Sequence, residues 1–309
     1  MILLFKVKVI SRKESNLSAD KPDDNMDEQT FEKLKDQLYH DQPGDLSKLK
    51  DIICGLDRTE CMKHWPKILP VSLKLVDHHD LKNKLLGVSC VRHLLETLED
   101  GHLKETGSDG LFFQSLQSCL YFPDVTVADE ALSVLHSLLK KFPSQDNLDS
   151  ITEMIIRGIS MAGNHSDKRI YWKQMTCFIQ LQGLAAVRFS KDIIKLIQDQ
   201  LSYPLTEETE SLFLSVLEAV SGFVEVTKER INVYSPDIFF SILSFSYANY
   251  PMLKTVTSVR LMIRRVFLQM KQLDPESCDK VVVAVTSGYE ESTSERLGFL
   301  LELHGNEIQ

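Results

Sequence analysis

The chain lacks the short motifs that mark common enzyme chemistry. Its 309 residues contain no glycine-rich phosphate loop, no GxGxxG turn, no HExxH helix and no calcium loop. Nucleotide cradling and zinc hydrolysis therefore have no sequence support. It also lacks an excess of basic residues. Asp and Glu number 44 against 35 Lys and Arg, for a formal net charge of −9. Binding along a phosphate backbone needs clustered Lys and Arg, so no nucleic-acid partner is expected. Long apolar runs are missing too. The opening MILLFKVKVI is interrupted by Lys6 and Lys8 and is followed by no small-residue cleavage site. It fails as a signal peptide and is too short to span a membrane. The longest uncharged run, Ile238 to Leu253, includes Ser, Tyr, Asn and Pro, which suits a buried helix. No membrane is expected as a partner.

Cysteines are few and unpaired in pattern. Cys54, Cys61, Cys90, Cys119, Cys177 and Cys278 are scattered, mostly within apolar runs. There a free thiol acts as a small hydrophobe, and the pattern fits a reducing compartment, cytosol or nucleus. The sequons at Asn16 and Asn164 carry no weight without a secretory route. Cys54, Cys61 and His64 come nearest to a metal cluster, but a structural zinc site needs a fourth ligand and usually CxxC-like pairs. No metal or other cofactor is expected. His78 and His79 are adjacent, so on a helix they would point about 100° apart; a polar turn suits them better. Ser277-Cys278-Asp279-Lys280 matches Ser-x-x-Lys without its companion motifs, and a first helical turn explains it. The acidic pairs Asp23-Asp24, Glu207-Glu208 and Glu290-Glu291 read as solvated surface. The chain is not expected to be an enzyme.

What the sequence does contain is helical periodicity. Leu81, Leu85, Val88, Val91, Leu94, Leu95 and Leu98 recur at steps of three and four. So do Ala128 to Phe142, Leu212 to Val224, and Val256 to Met270. These stripes are wide, as in helices covered on more than one side. Ser235-Pro236-Asp237, Asp274-Pro275-Glu276 and Thr206-Glu207-Glu208 read as helix starts. Gly55, Gly163 and Gly183 read as helix ends. No strand pair stands out; Val281 to Val285 is β-prone but has a helical lead-in. The pattern predicts roughly 13 helices of about 12 to 24 residues, in pairs spaced roughly 40 residues apart, the period of HEAT and armadillo units. The fold expected is all-α, an α-solenoid of such helix pairs, with a compact bundle as the alternative. Residues 1–26 are expected to be a disordered N-terminal segment, because Ser11 to Asp27 has little apolar material to offset ordering entropy. Residues 27–305 would form the helical-repeat domain.

Four residues are candidates for partner binding. Arg260 and Arg264 are four apart on one helix face, with Arg265 beside them. They could form a basic ridge for an acidic partner, against the plainer alternative of a solvated face. Trp65, at a helix start beside Pro66, is either a packing residue between units or an interface anchor.

The Trp65 to Phe142 region then carries a resemblance. Trp65, Leu69-Pro70-Val71-Ser72-Leu73, Lys84-Leu85-Leu86-Gly87-Val88-Ser89-Cys90, His93 and Leu120-Tyr121-x-Pro123 resemble the C-terminal half of the Tti-two subunits of the TTT co-chaperone complex. Beyond Phe142 the similarity is diffuse, and members of that family usually carry further helices before this region. The resemblance implies a non-enzymatic scaffold that binds the Tti-one and Tel subunits. It implies cooperation with the heat-shock ATPase chaperone and its adaptor complex, with phosphatidylinositol-3-kinase-related kinases as clients, in cytoplasm and nucleus. Gly87 makes sense on physical grounds alone. Within an apolar helix it costs about 1 kcal/mol relative to Ala, tolerable where another helix comes close. The competing readings are another HEAT or armadillo scaffold, from a transport receptor or phosphatase, and a HEAT-like DNA glycosylase. The glycosylase needs a basic groove and a carboxylate among aromatics, which the acidic composition does not favour.

Overall fold

The computed structural model describes residues 27–287, except 41 and 43, together with residue 299; for 285–287 it describes the backbone only. The expected disorder of residues 1–26 lies outside the described residues, as does most of the expected domain beyond 287. Among the described residues there are fifteen α-helices and no strand. They are α1 (Glu28–Tyr39), α2 (Ser47–Gly55), α3 (Arg58–Val76), α4 (Leu81–Thr97), α5 (Asp100–Glu105), α6 (Ser108–Cys119), α7 (Val125–Lys141) and α8 (Gln145–Met161). There follow α9 (His165–Gln182), α10 (Ser190–Leu201), α11 (Glu210–Val226), α12 (Ser235–Ala248), α13 (Tyr250–Thr255), α14 (Thr257–Leu273) and α15 (Pro275–Ser287). Two 3-10 segments, Gly183–Phe189 and Lys228–Val233, lead into α10 and α12.

Short polar side chains start many of these helices. Asp57 opens α3 with a capping box: its carboxylate accepts from the Glu60 amide at 2.9 Å, and Glu60 accepts from the Asp57 amide at 3.2 Å. Asp80, Asp124, Ser144 and Asn164 cap α4, α7, α8 and α9 more simply, each side chain accepting from one first-turn amide. Asp274 accepts from the Ser277 amide at 3.2 Å, so the Asp-Pro-Glu start of α15 is where the sequence puts it. Gly183 follows α9 with φ of +56°, a conformation that favours glycine. Gly55 ends α2, and Gly163 lies just beyond α8.

Two starts differ from expectation. Thr206 and Thr209 bond to each other in a turn, so α11 begins at Glu210, past the Thr206-Glu207-Glu208 signal. Ser235 is already helical and fully buried, and its hydroxyl donates to the Asp274 carboxylate instead of capping its own helix. There a bond between units has won over a local cap.

The helices stack in two layers. In the first layer α1 contacts α3, α3 contacts α6, α8 contacts α10, α10 contacts α12, and α12 contacts α15. In the second layer contact is unbroken from α2 through α4, α7, α9 and α11 to α14. Within pairs, α3 packs on α4, α6 on α7, α8 on α9, α10 on α11 and α12 on α14. The first-layer helices start at residues 28, 58, 108, 145, 190, 235 and 275, intervals that bracket the HEAT period. The short α5 and α13 are insertions between or within pairs. This is an all-α solenoid, as the periodicity predicts. Successive helices of the second layer contact each other more extensively than those of the first.

The core runs continuously along the stack. Phe213 and Phe245 meet at 4.7 Å between ring centroids, and Phe239 and Phe267 at 4.9 Å, each worth about 0.5–1.5 kcal/mol beyond simple burial. Buried polar groups join adjacent units. The Asn249 side chain accepts from the Leu205 amide at 2.7 Å and donates to the Phe245 carbonyl at 3.0 Å. The uncharged run Ile238 to Leu253 spans α12 and α13, and most of its large apolar residues are buried.

Candidate interaction surface

The residues that carry the resemblance lie inside the molecule. A Cβ on Gly87 would sit 2.2 Å from the Val76 amide nitrogen and 2.5 Å from the Leu75 carbonyl carbon. Only glycine lets α4 come this near the end of α3. Lys84, one turn earlier, is 6% exposed. Its ammonium donates to the Val76 carbonyl at 2.5 Å and lies 5.3 Å from the centre of the Phe122 ring. A free carbonyl at the end of α3 is thus satisfied by a lysine of the next helix. His93 Nε2 lies 3.0 Å from the Leu56 carbonyl and can donate to it when Nε2 carries the proton. Trp65 is 7% exposed and meets His102 and Phe112 edge-on, with centroids 5.3 and 6.3 Å away. Its indole joins α3 to α5 and α6, so Trp65 packs between helices, the plainer of the two roles its sequence position allows.

Most of the thiols are poorly suited to reaction. Burial pushes Cys61 and Cys119 up to about 11 and Cys278 up to about 12, leaving few thiolates at neutral pH. Cys54 and Cys90 share a hydrogen bond that lowers the first and raises the second. Among the described residues no group of three or more His, Cys, Asp or Glu is placed to hold a metal ion. His78 and His79 stack at 4.4 Å in the turn between α3 and α4, and Ser277 lies in the first turn of α15.

The surface falls into distinct stretches. Along the middle of the second layer, polar groups pair with each other. Arg92 of α4 bonds Glu130 of α7, and Gln174 of α9 donates to Asp129 at 2.6 Å. Half-buried His136 lies beside them with its pKa lowered, chiefly by burial and then by Lys140. At the edge of the stack, the α6–α7 and α8–α9 connections frame an apolar groove of about 450 Å³. Tyr121 and Met161 stand at its rim, 72% and 76% exposed. Its wall is close-fitting, since a Cβ on Gly158 would meet the Tyr171 ring at 2.5 Å.

At α14 the pattern changes. Val259, Ile263, Val266, Phe267 and Met270 are buried. On the other side Arg264 and Arg265 are exposed, and Arg260 is half-buried at the margin. Arg264 and Arg265 line a shallow depression of about 440 Å³ together with Glu225, Leu261, Leu268, Gln269 and Gln272. The sequence pointed to these arginines but not to Leu261 and Leu268. Both leucines fall outside the buried stripe, and that offset was the available signal. Tyr121 and Met161 were missed as surface residues because only the packing of the connections exposes them.

Comparison with known proteins agrees with the family resemblance. A model described as Tti2 family matches residues 6–208. TELO2-interacting protein 2 of Mus musculus is 25% identical over 183 residues, which cover 55% of this chain and 35% of the relative. The Homo sapiens protein of that name is 22% identical over 217 residues, covering 64% and 42%. The chain thus spans less than half of the length of the curated relatives it matches. The matched span contains the whole Trp65–Phe142 block, whose buried lysine and close-approach glycine fix the α3–α4 junction and whose edge-packed tryptophan joins α3 to α5 and α6. On that evidence the chain belongs to the Tti2 family.

Proposed function

We propose that this protein is a scaffold subunit of a TTT co-chaperone assembly that supports the maturation and stability of phosphatidylinositol-3-kinase-related kinases. The observation that carries this reading is the Tti2 family match over residues 6–208. The name of the relatives, TELO2-interacting protein 2, adds a Tel subunit as partner. The scaffold binds the Tti-one and Tel subunits, and through them works with the heat-shock ATPase chaperone and its adaptor complex. No bond is made or broken. A stack of helix pairs offers an extended surface on which partner segments are held. The protein acts in cytoplasm and nucleus, where its client kinases mature. Two features fit this setting: the free, mostly buried thiols, and the absence, among the described residues, of any helix long and apolar enough to cross a membrane.

The test is gentle purification of the tagged chain from its native cells, followed by mass spectrometry of what comes with it. Recovery of the Tti-one and Tel subunits with large kinases is the expected result. A folded, soluble chain that recovers none of them would overturn the assignment and bring forward a different helical-repeat scaffold.

A further inference from the structure

We propose that the exposed face of α14 is a docking site for an acidic amphipathic helix carried by another protein. This rests on the scaffold reading, because it names a surface by which such a scaffold could hold a partner. Leu261 is 58% exposed and Leu268 is 41% exposed. Seven residues apart, they share one side of the helix, separated along its axis by about 10 Å. Arg264 lies between them, and Arg265 faces the same depression. Among the described residues neither arginine has an ion pair or hydrogen bond. Some basic groups elsewhere are paired between helices, as in Arg92 with Glu130, Arg188 with Asp149 and Lys141 with Asp100. On α14 two unpaired arginines and two exposed leucines share one depression, in a chain of net charge −9.

The floor of the depression is fixed and its rim is free. Gln269 accepts from the Ser221 hydroxyl at 2.9 Å and donates to the Ser221 carbonyl at 3.1 Å, holding α14 to α11. Glu225, the acid in the lining, accepts from Gln269 at 3.3 Å. An incoming helix can lay an apolar stripe over Leu261 and Leu268 and set carboxylates against the two guanidinium groups, whose planar forks suit them. Charge decides the occupant's class. A nucleic acid would meet Glu225 and an acidic body, with no aromatic platform for its bases. An anionic membrane would need a longer basic and apolar strip than two leucines and two arginines provide.

The experiment places a photo-crosslinking benzophenone amino acid at Leu268 of the full chain, with Ser137 on α7 as control position. Cross-linked peptides are sequenced from native cells, in the parent chain and in Arg264→Glu/Arg265→Glu. A Leu268-specific cross-link to an acidic amphipathic segment of another protein, reduced at least about tenfold by the double reversal, supports the proposal. Cross-links to residues 288–309, or to a second copy of the chain, overturn it. Leu268 staying silent while the chain still recovers the Tti-one and Tel subunits also overturns it, and leaves the scaffold reading standing. The supporting cross-link from a chain that recovers neither subunit keeps the docking face and overturns that reading instead.

Discussion

The α3–α4 junction and the α14 face belong to one stack and use their polar groups in opposite ways. At the junction the Lys84 charge is buried and satisfied by a backbone carbonyl and a ring. Trp65 is enclosed, and Gly87 removes the last obstacle to contact. At α14 two arginines remain unpaired among the described residues and two leucines face solvent. The junction lies within the family match and α14 lies beyond it. The difference teaches that the residues that carry the family resemblance maintain the architecture, whereas exposed charged and apolar groups of α14 are not used in packing.

The sharpest way to break that comparison is Gly87→Leu. The side chain has no space against the Val76 and Leu75 backbone, so we expect a loss of about 3 kcal/mol or more. The melting temperature should fall by roughly 6 °C or more; an unchanged one would sink the close-approach account. Next is Lys84→Met, which keeps the stem but leaves the buried Val76 carbonyl without its donor. A cost of about 1–3 kcal/mol is expected, read as a lower urea midpoint with unchanged slope. The same substitution of both arginines, Arg264→Met/Arg265→Met, should change stability by no more than about 0.5 kcal/mol, leaving that midpoint nearly in place. A larger loss would show that α14 spends these side chains on its own stability, and the contrast would collapse.

The smallest effect concerns pH. Burial, and then Lys140, lower the folded-state pKa of His136 below its ordinary 6.5. The unfolded chain therefore binds the proton more readily. Stability is lost as pH falls from the unfolded value towards the folded one, and is regained as pH rises through 6.5. His136→Gln should flatten that part of a melting-temperature profile between acidic and neutral pH. A profile identical to the parent's would remove His136 as its source.

Much of the fold was legible because helical periodicity and caps are local. The stripes at Leu81–Leu98 and Val256–Met270 became α4 and α14, and Asp274-Pro275-Glu276 opened α15 where expected. Gly87 could be read as a close-approach point because an apolar helix tolerates glycine only for a reason. What stayed hidden depends on neighbours distant in sequence. Ser235 spends its hydroxyl on Asp274, 39 residues away, so its cap signal misled by one position. Trp65 could be core or anchor until His102 and Phe112 closed around it. Leu261 and Leu268 look like ordinary helix leucines until the buried side of α14 is known. The expected count of roughly 13 helices fell short of fifteen because α5 and α13, of six residues each, are too short to show a period.

The unbroken second layer has a mechanical consequence. Each of its inner helices contacts the one before and the one after as well as its own pair partner, so the stack is a row of joints in series. A small rotation at the contact of α9 with α11 would barely change distances nearby, yet it would swing α14 relative to α4 like the tip of a lever.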